Sequence, residues 1–216
     1  MRTGKRTTTT PGEAAAIVGI CFGLYIVLSL NAVASGFPNS PFSNASLVWL
    51  AITDAVLAVA ALAVLYLREY AIGTLLPAPT LAGSAWGVGL FFAAWIVGWI
   101  MVLPFSGQPE QPYVHMMEDA RVTVPVMVVM AMVNGAFEEV FLLGFLLRGL
   151  RGFGLSVALG AMLLVRVLYH LYQGPLGAVW VLGFGLVFGL YFMRTNRLWP
   201  PVFAHILWDI VPFLSA

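Results

Sequence analysis

The chain reads as an all-α, polytopic transmembrane helical bundle, and three observations carry that reading. It is 61% hydrophobic, its mean hydropathy is +0.96, and apolar runs long enough to cross a bilayer recur along its whole length. Only 9% of its 216 residues are charged, against about 25% in soluble domains. A net charge of +1 with no basic stripe gives no case for nucleic acid. Residues 1–216 are expected to form one integral membrane domain, because no linker, sustained repeat or second domain is visible.

At roughly 20 residues per crossing, the runs predict about seven spans, near 14–35, 47–67, 82–104, 122–147, 153–172, 175–193 and 199–214. The first holds Cys21, the only cysteine, which excludes an internal disulfide. Basic residues before it and Ala32-Val33-Ala34 at its end resemble a signal peptide with its cleavage site. The apolar stretch is at the long end for a signal, so an uncleaved span is expected. Turn residues Gly36-Phe37-Pro38-Asn39-Ser40-Pro41 follow. The Asn44-Ala45-Ser46 sequon matters only where a glycosylating pathway makes the protein.

The second span carries Asp54, expected to be a packing polar group bonded to a neighbouring helix. The third contains Gly83-x-x-x-Gly87 and the sixth Gly185-x-x-x-Gly189, both hints of close helix contacts. Between the third and fourth, Ser106 to Arg121 holds Glu110, His115, Glu118 and Asp119, with His115 read as a solvated loop histidine. The fourth contains Asn134, Glu138 and Glu139, the fifth Arg166 and His170, and the seventh His205 and Asp209.

Charge placement sets orientation, since Lys and Arg are retained on the cytoplasmic side. With the N-terminus cytoplasmic, that side holds Arg2, Lys5, Arg6, Arg68, Arg148, Arg151, Arg194 and Arg197, and the other only Arg121. The split supports an odd number of spans and an external C-terminus. It predicts a multi-pass protein of the cell membrane, expected to be a bacterial inner membrane, with the lipid bilayer as constant partner.

Two adjacent glutamates inside an apolar span demand a reason, at about 2.5–3.5 kcal/mol per mid-membrane charge on insertion scales. Asn134 and Glu138 are four residues apart and share a helix face. Arg166, His170 and Gln173 line one stripe of the fifth span, and His205 and Asp209 repeat the four-residue spacing on the seventh. His205–Asp209 alone could be a structural pair. Three helices each presenting a polar face are expected to bury those faces together.

Such a set suits hydrolysis. A carboxylate in a low-dielectric pocket holds protons more tightly and can act as a general base toward water. Histidines can hold that water or donate to a developing oxyanion. The same residue types could bind zinc, but no histidine pair has the H-E-x-x-H spacing of helix-borne zinc proteases. No G-x-S-x-G elbow is present, and Cys21 is far from the cluster in sequence.

These residues resemble the CAAX protease and bacteriocin-processing (CPBP, Abi-type) family of intramembrane endopeptidases. That family carries Glu-Glu-x-x-x-Arg on one helix, Phe-x-x-x-His on the next and His-x-x-x-Asn/Asp on a later one. Here they read Glu138-Glu139-Val140-Phe141-Leu142-Leu143, then Arg166-Val167-Leu168-Tyr169-His170, then His205-Ile206-Leu207-Trp208-Asp209, all within 122–214. The resemblance implies an endopeptidase acting on membrane-associated peptides or proteins. It implies that Glu138 activates water with help from His170, that His205 and Asp209 stabilise the oxyanion, and that Glu139 supports the site. An ionised Asp209 cannot donate, so it would be protonated, orient His205 or act otherwise. The resemblance suggests access from the cytoplasmic side, though in a bacterium prenylated substrates are not expected. The family has been described as metal-dependent and also as using glutamate and water alone; the expectation here is no cofactor and no metal, with zinc left open.

Two positions depart from the pattern: Leu143 replaces the arginine and Arg166 the phenylalanine. Arg166 lies on the His170 face of the next helix, so it is expected to pair with Glu139 or Glu138, with Asn134 supporting the site. On straight helices Glu138 falls mid-span and His170 near the outer end, so either the span boundaries are off by a turn or the helices tilt or break, with Asn134-Gly135 a candidate weak point. Three functional classes stay open. They are an endopeptidase, a catalytically impaired relative serving as a membrane scaffold or accessory subunit (favoured by Leu143), and a proton-coupled transporter. Natural substrate, cleavage site and oligomeric state are not legible.

Overall fold

The computed structural model describes residues 6–105, residue 107 and residues 111–215. Arg2, Lys5, Ser106 and Glu110, read above as loop residues, lie outside the described residues. Among the described residues the chain is helical, with only two isolated β-bridges, Arg6 with Tyr70 and Ser43 with Arg121. The helices are α1 (Pro11–Ala34), α2 (Asn44–Leu67), α3 (Leu81–Val102), α4 (Pro112–Glu118), α5 (Val124–Glu139), α6 (Leu155–Leu168), α7 (Pro175–Thr195) and α8 (Trp199–Ser215).

Their starts follow from local chemistry. Thr10 accepts a hydrogen bond from the Glu13 amide ahead of Pro11, Ser43 and Ser46 form a capping box, and Thr80 accepts from the Gly83 amide. Gly174, with φ of 90°, supplies a left-handed step before Pro175 opens α7. In the core α3 packs on α7 and α8, and α5 on α8 and α2. Both glycine motifs mark such contacts. A Cβ at Gly83 or Gly87 would stand 2.7 Å from Trp199 Cδ1 or 2.9 Å from Phe203 Cδ1, both of α8. α1 belongs to the same packing, for Phe22 stacks on Tyr169 at 5.0 Å between ring centroids.

Among the described residues, five helical segments are long and apolar enough to cross a membrane: Pro11–Ala34, Asn44–Leu67, Leu81–Phe105, Val124–Leu147 and Pro175–Thr195. The expected bundle is present, but one of its spans is shorter than the sequence predicts. α8, with 17 residues, matches the expected 199–214, whereas α6 has only 14, so α6 rises about 21 Å against a hydrocarbon core of about 30 Å. The expected span 153–172 therefore ends early. Its chain leaves the helix after Leu168 and turns through Tyr169 and His170 into a 3-10 turn at Leu171–Gln173. Non-helical backbone at this depth is tolerated where protein satisfies it, and here Ser29 Oγ of α1 accepts from the Tyr172 amide at 2.9 Å. The early stop puts His170 in the turn after α6, where it lines the same cavity as Glu138.

The break does not lie at Asn134-Gly135. α5 runs unbroken through both residues, and its hydrogen bonding widens to a π-helix only at Val140–Leu147. Such widenings favour functional sites, and this one starts directly after Glu139. Gly135 instead lets α8 approach: a Cβ there would lie 3.1 Å from the Ile206 amide nitrogen.

The two ends of the bundle differ. At one, the Arg6 guanidinium donates to the Arg68 carbonyl at 3.1 Å, Arg148 to the Thr74 carbonyl at 2.5 Å and Arg151 to Asn196 Oδ1 at 2.6 Å. Arg6 also pairs with the Glu13 carboxylate at 2.5 Å. At the other, the Arg121 amide meets the Phe42 carbonyl at 2.8 Å and the Thr123 amide meets Asn44 Oδ1 at 2.8 Å. α4, which the sequence did not announce, joins this second end. There the Phe42 amide donates to the Met116 carbonyl, and Gln111 Oε1 accepts from the Leu176 amide.

Candidate active site

Adjacent positions on a helix point about 100° apart, so Glu138 and Glu139 meet different surroundings. Glu139 is fully buried. Both of its oxygens accept from Arg166 Nη2, at 2.8 and 2.9 Å, and Oε1 also accepts from His205 Nδ1–H at 2.6 Å. The expected charge relocation is thus present in the geometry. Arg166, itself fully buried, crosses from α6 to the carboxylate that Leu143 cannot neutralise. Its Nη1 stands 3.6 Å from Glu138 Oε2 and its guanidinium 4.9 Å over the Phe184 ring. The side chain fits because α7 offers Gly185 there, where a Cβ would lie 2.8 Å from Arg166 Cδ.

Glu138 borders a cavity of about 650 Å³ that Asn134, Tyr169, His170, His205 and Asp209 also line. The Tyr169 hydroxyl donates to Glu138 Oε2. His205 Nε2 stands 3.8 Å from Glu138 Oε2 and 3.7 Å from Asp209 Oδ1. Since the Nδ1 proton is committed to Glu139, Nε2 is the nitrogen offered to the cavity side. Asp209 Oδ2 accepts from the Asn134 amide at 2.9 Å. His170 donates from Nδ1 to the Arg166 carbonyl at 2.9 Å, which leaves Nε2 as its working nitrogen. Among the described residues it makes no hydrogen bond to Glu138; the two meet only as neighbours in the cavity wall.

All seven residues named from the sequence therefore gather around one centre, on α5, α6 with its following turn, and α8. Reasoning from sequence missed Tyr169 and Phe184. Tyr169 was within reach, being three residues after Arg166 and so on nearly the same face. Phe184 carries no such signal. Asp54 is held apart, accepting from the Tyr25 hydroxyl of α1 at 2.5 Å, the inter-helix bond expected of it. Most of the remaining wall is aromatic and apolar, including Trp99, Trp180 and Trp208. Tyr113 of α4 joins it, with burial pushing its phenol up, so it stays a neutral hydroxyl.

Among the described residues, the side chains close enough together to share a metal ion are Glu138, Glu139 and His205. Their donor set fits one poorly. Glu139 already receives Arg166 and His205, and the nitrogen that His205 turns toward it carries a proton. An ion held by all three would have to displace both partners.

Comparison with known proteins bears on the same segment. Residues 120–211 match the model of the family described as Type II CAAX prenyl endopeptidase Rce1-like. The recognition drawn from the three motifs holds over that segment, which contains every residue of the cluster. Neither the curated proteins nor the solved structures compared with the chain gave a match.

Proposed function

On the premise that residues 120–211 carry the protease segment of that family, we propose that the chain is an intramembrane endopeptidase using a glutamate-activated water. The supporting observation is the division between the glutamates: Glu138 borders the cavity, whereas Glu139 is saturated by Arg166 and His205. Tyr169 occupies Glu138 Oε2 and leaves Oε1 to accept a proton from water. His170, through Nε2, helps hold that water.

The resulting hydroxide adds to the scissile carbonyl, and the developing oxyanion takes a hydrogen bond from a proton on His205 Nε2. Glu139 fixes the His205 ring by accepting from Nδ1, and Asp209 stands where an imidazolium gains Coulomb stabilisation. Asp209 acts as acceptor and orienter, its other oxygen steadied by Asn134. Glu138 then passes its proton to the leaving amine as the C–N bond breaks. General-base catalysis contributes about 10²–10⁴-fold, and one oxyanion donor about 10²–10³-fold.

Water activation here needs no metal, and the occupied lone pairs of Glu139 support that choice. Leu143 favours a scaffold role only while Glu139 lacks a cation, and Arg166 removes that premise. The test is cleavage of membrane-anchored peptides by the purified protein in liposomes, comparing wild type with Glu138→Ala and His205→Ala. Loss of about 100-fold or more in both is expected. Unchanged cleavage by Glu138→Ala removes the base. A chelator in the same assay is expected to leave the rate unaltered, and a loss restored by zinc overturns the metal-free reading.

A further inference from the structure

The cavity occupies one half of the bundle only. Its wall is built from Phe42 and α4 at one end and stops at Glu138, Phe184 and His205 at the other. None of the residues between α2 and α3, between the π-helical segment and α6, or between α7 and α8 lines it. Those are the connections that carry Arg68, Arg148, Arg151 and Arg197. Between them and the cavity lies a layer with no exposed surface: Leu143, Phe145 and Leu147 from the π-helical segment, Phe188 and Phe192 from α7.

Lys and Arg in short loops stay on the cytoplasmic side. Arg6, Arg68, Arg148, Arg151, Arg194 and Arg197 mark one end, against Arg121 at the other. Hence the cytoplasmic end is the sealed one. We propose that this site takes its substrate from the trans side of the membrane, as an apolar segment of a membrane-anchored polypeptide whose scissile bond lies in the trans half. The substrate class rests on the endopeptidase reading; the sidedness does not.

Chemistry narrows the class further. Proteins ending in a prenylated C-a-a-X sequence usually carry upstream polybasic residues or a second, palmitoylated cysteine, and the polybasic segments are drawn to the anionic cytoplasmic leaflet. A trans-facing cavity does not meet them. Its aromatic walls suit apolar side chains instead, with polar groups confined to the cluster around Glu138. This is the opposite side from the one the family resemblance suggests.

Sidedness is measured with single cysteines in a Cys21→Ala background. Val114→Cys probes α4 beside the cavity, where Val114 is 37% exposed. Gly152→Cys probes the basic end, where a Cβ meets nothing within 4 Å. Intact cells are treated with a membrane-impermeant maleimide. Labelling of Val114→Cys at once, and of Gly152→Cys only after permeabilisation, is expected. The reverse pattern, labelling of both from outside, or a Val114→Cys that never labels each overturns the proposal.

A second arm uses vesicles of known orientation with a membrane-anchored peptide on one side at a time. Cleavage only from the Val114 side is expected, and cleavage only from the Gly152 side overturns the proposal. Correct labelling with no cleavage from either side counts against the endopeptidase reading and leaves the sidedness standing.

Discussion

The half of the bundle near the arginines and the half near α4 are built from the same helices to opposite ends. Near the arginines, Leu142, Leu143, Phe145, Leu147, Phe188 and Phe192 have no exposed surface and no polar side chain among them. Toward α4, α5 and α7 line a cavity of about 650 Å³ with the polar cluster on its wall. Glu139 and Arg166 lie at the border. Their pair is sealed by the apolar layer, and it holds His205 in the cavity wall. The lesson is that a buried ion pair here acts as a fixture for a neighbouring working group, since burial alone makes such pairs weak sources of stability.

Breaking the border is expected to have the largest effect. Arg166→Leu leaves Glu139 buried without its cation, which typically costs about 3–5 kcal/mol. Unfolding in detergent should report that loss, with cleavage failing as His205 loses its anchor. Adding Leu143→Arg, which returns a guanidinium four residues after Glu139, is expected to recover part of both. No recovery in either would show that the charge does more at position 166 than neutralise.

Loosening the sealed half comes next. Leu143→Ala removes a fully buried side chain and is expected to cost about 2–5 kcal/mol by leaving a cavity. Peptide cleavage at a temperature where the variant stays folded should survive, because Leu143 is not among the residues that line the cavity. Loss of turnover in a folded Leu143→Ala protein would mean that the two halves are not separable.

A smaller effect is expected from Gly185→Ala. The new methyl would lie 2.8 Å from Arg166 Cδ, and overpacking of this kind typically costs about 1–3 kcal/mol. Displacing Arg166 should lower turnover more than substrate affinity. A change in KM alone would place the effect on the cavity wall and away from the ion pair.

The fold was legible because hydropathy reports burial in lipid directly, residue by residue. Helix length was less so. Residues 153–172 read as one span carrying Arg166 and His170, yet α6 stops at Leu168, and Ser29 of α1 satisfies the freed Tyr172 amide. Nothing local announces that bond. The site was legible through the four-residue spacings of Asn134 with Glu138, Arg166 with His170, and His205 with Asp209, since charge in lipid needs a partner on a facing helix. Tyr169 escaped because a tyrosine in an apolar span reads as packing until its hydroxyl is seen on Glu138. The difference between the two halves was invisible in the sequence, because Leu143 beside a packed layer and Trp180 beside a void are equally apolar.

One pair of variants tests the account most directly: Glu138→Gln and Glu139→Gln, the same change one residue apart, each read by peptide cleavage and by thermal unfolding in detergent. Glu138→Gln is expected to keep the wild-type unfolding temperature and to lose about 10²–10⁴-fold in turnover. Glu139→Gln is expected to lower the unfolding temperature, because it leaves Arg166 buried without its counter-charge. A Glu138→Gln protein that cleaves at the wild-type rate, or two variants alike in both measurements, would contradict the division of labour between the two glutamates.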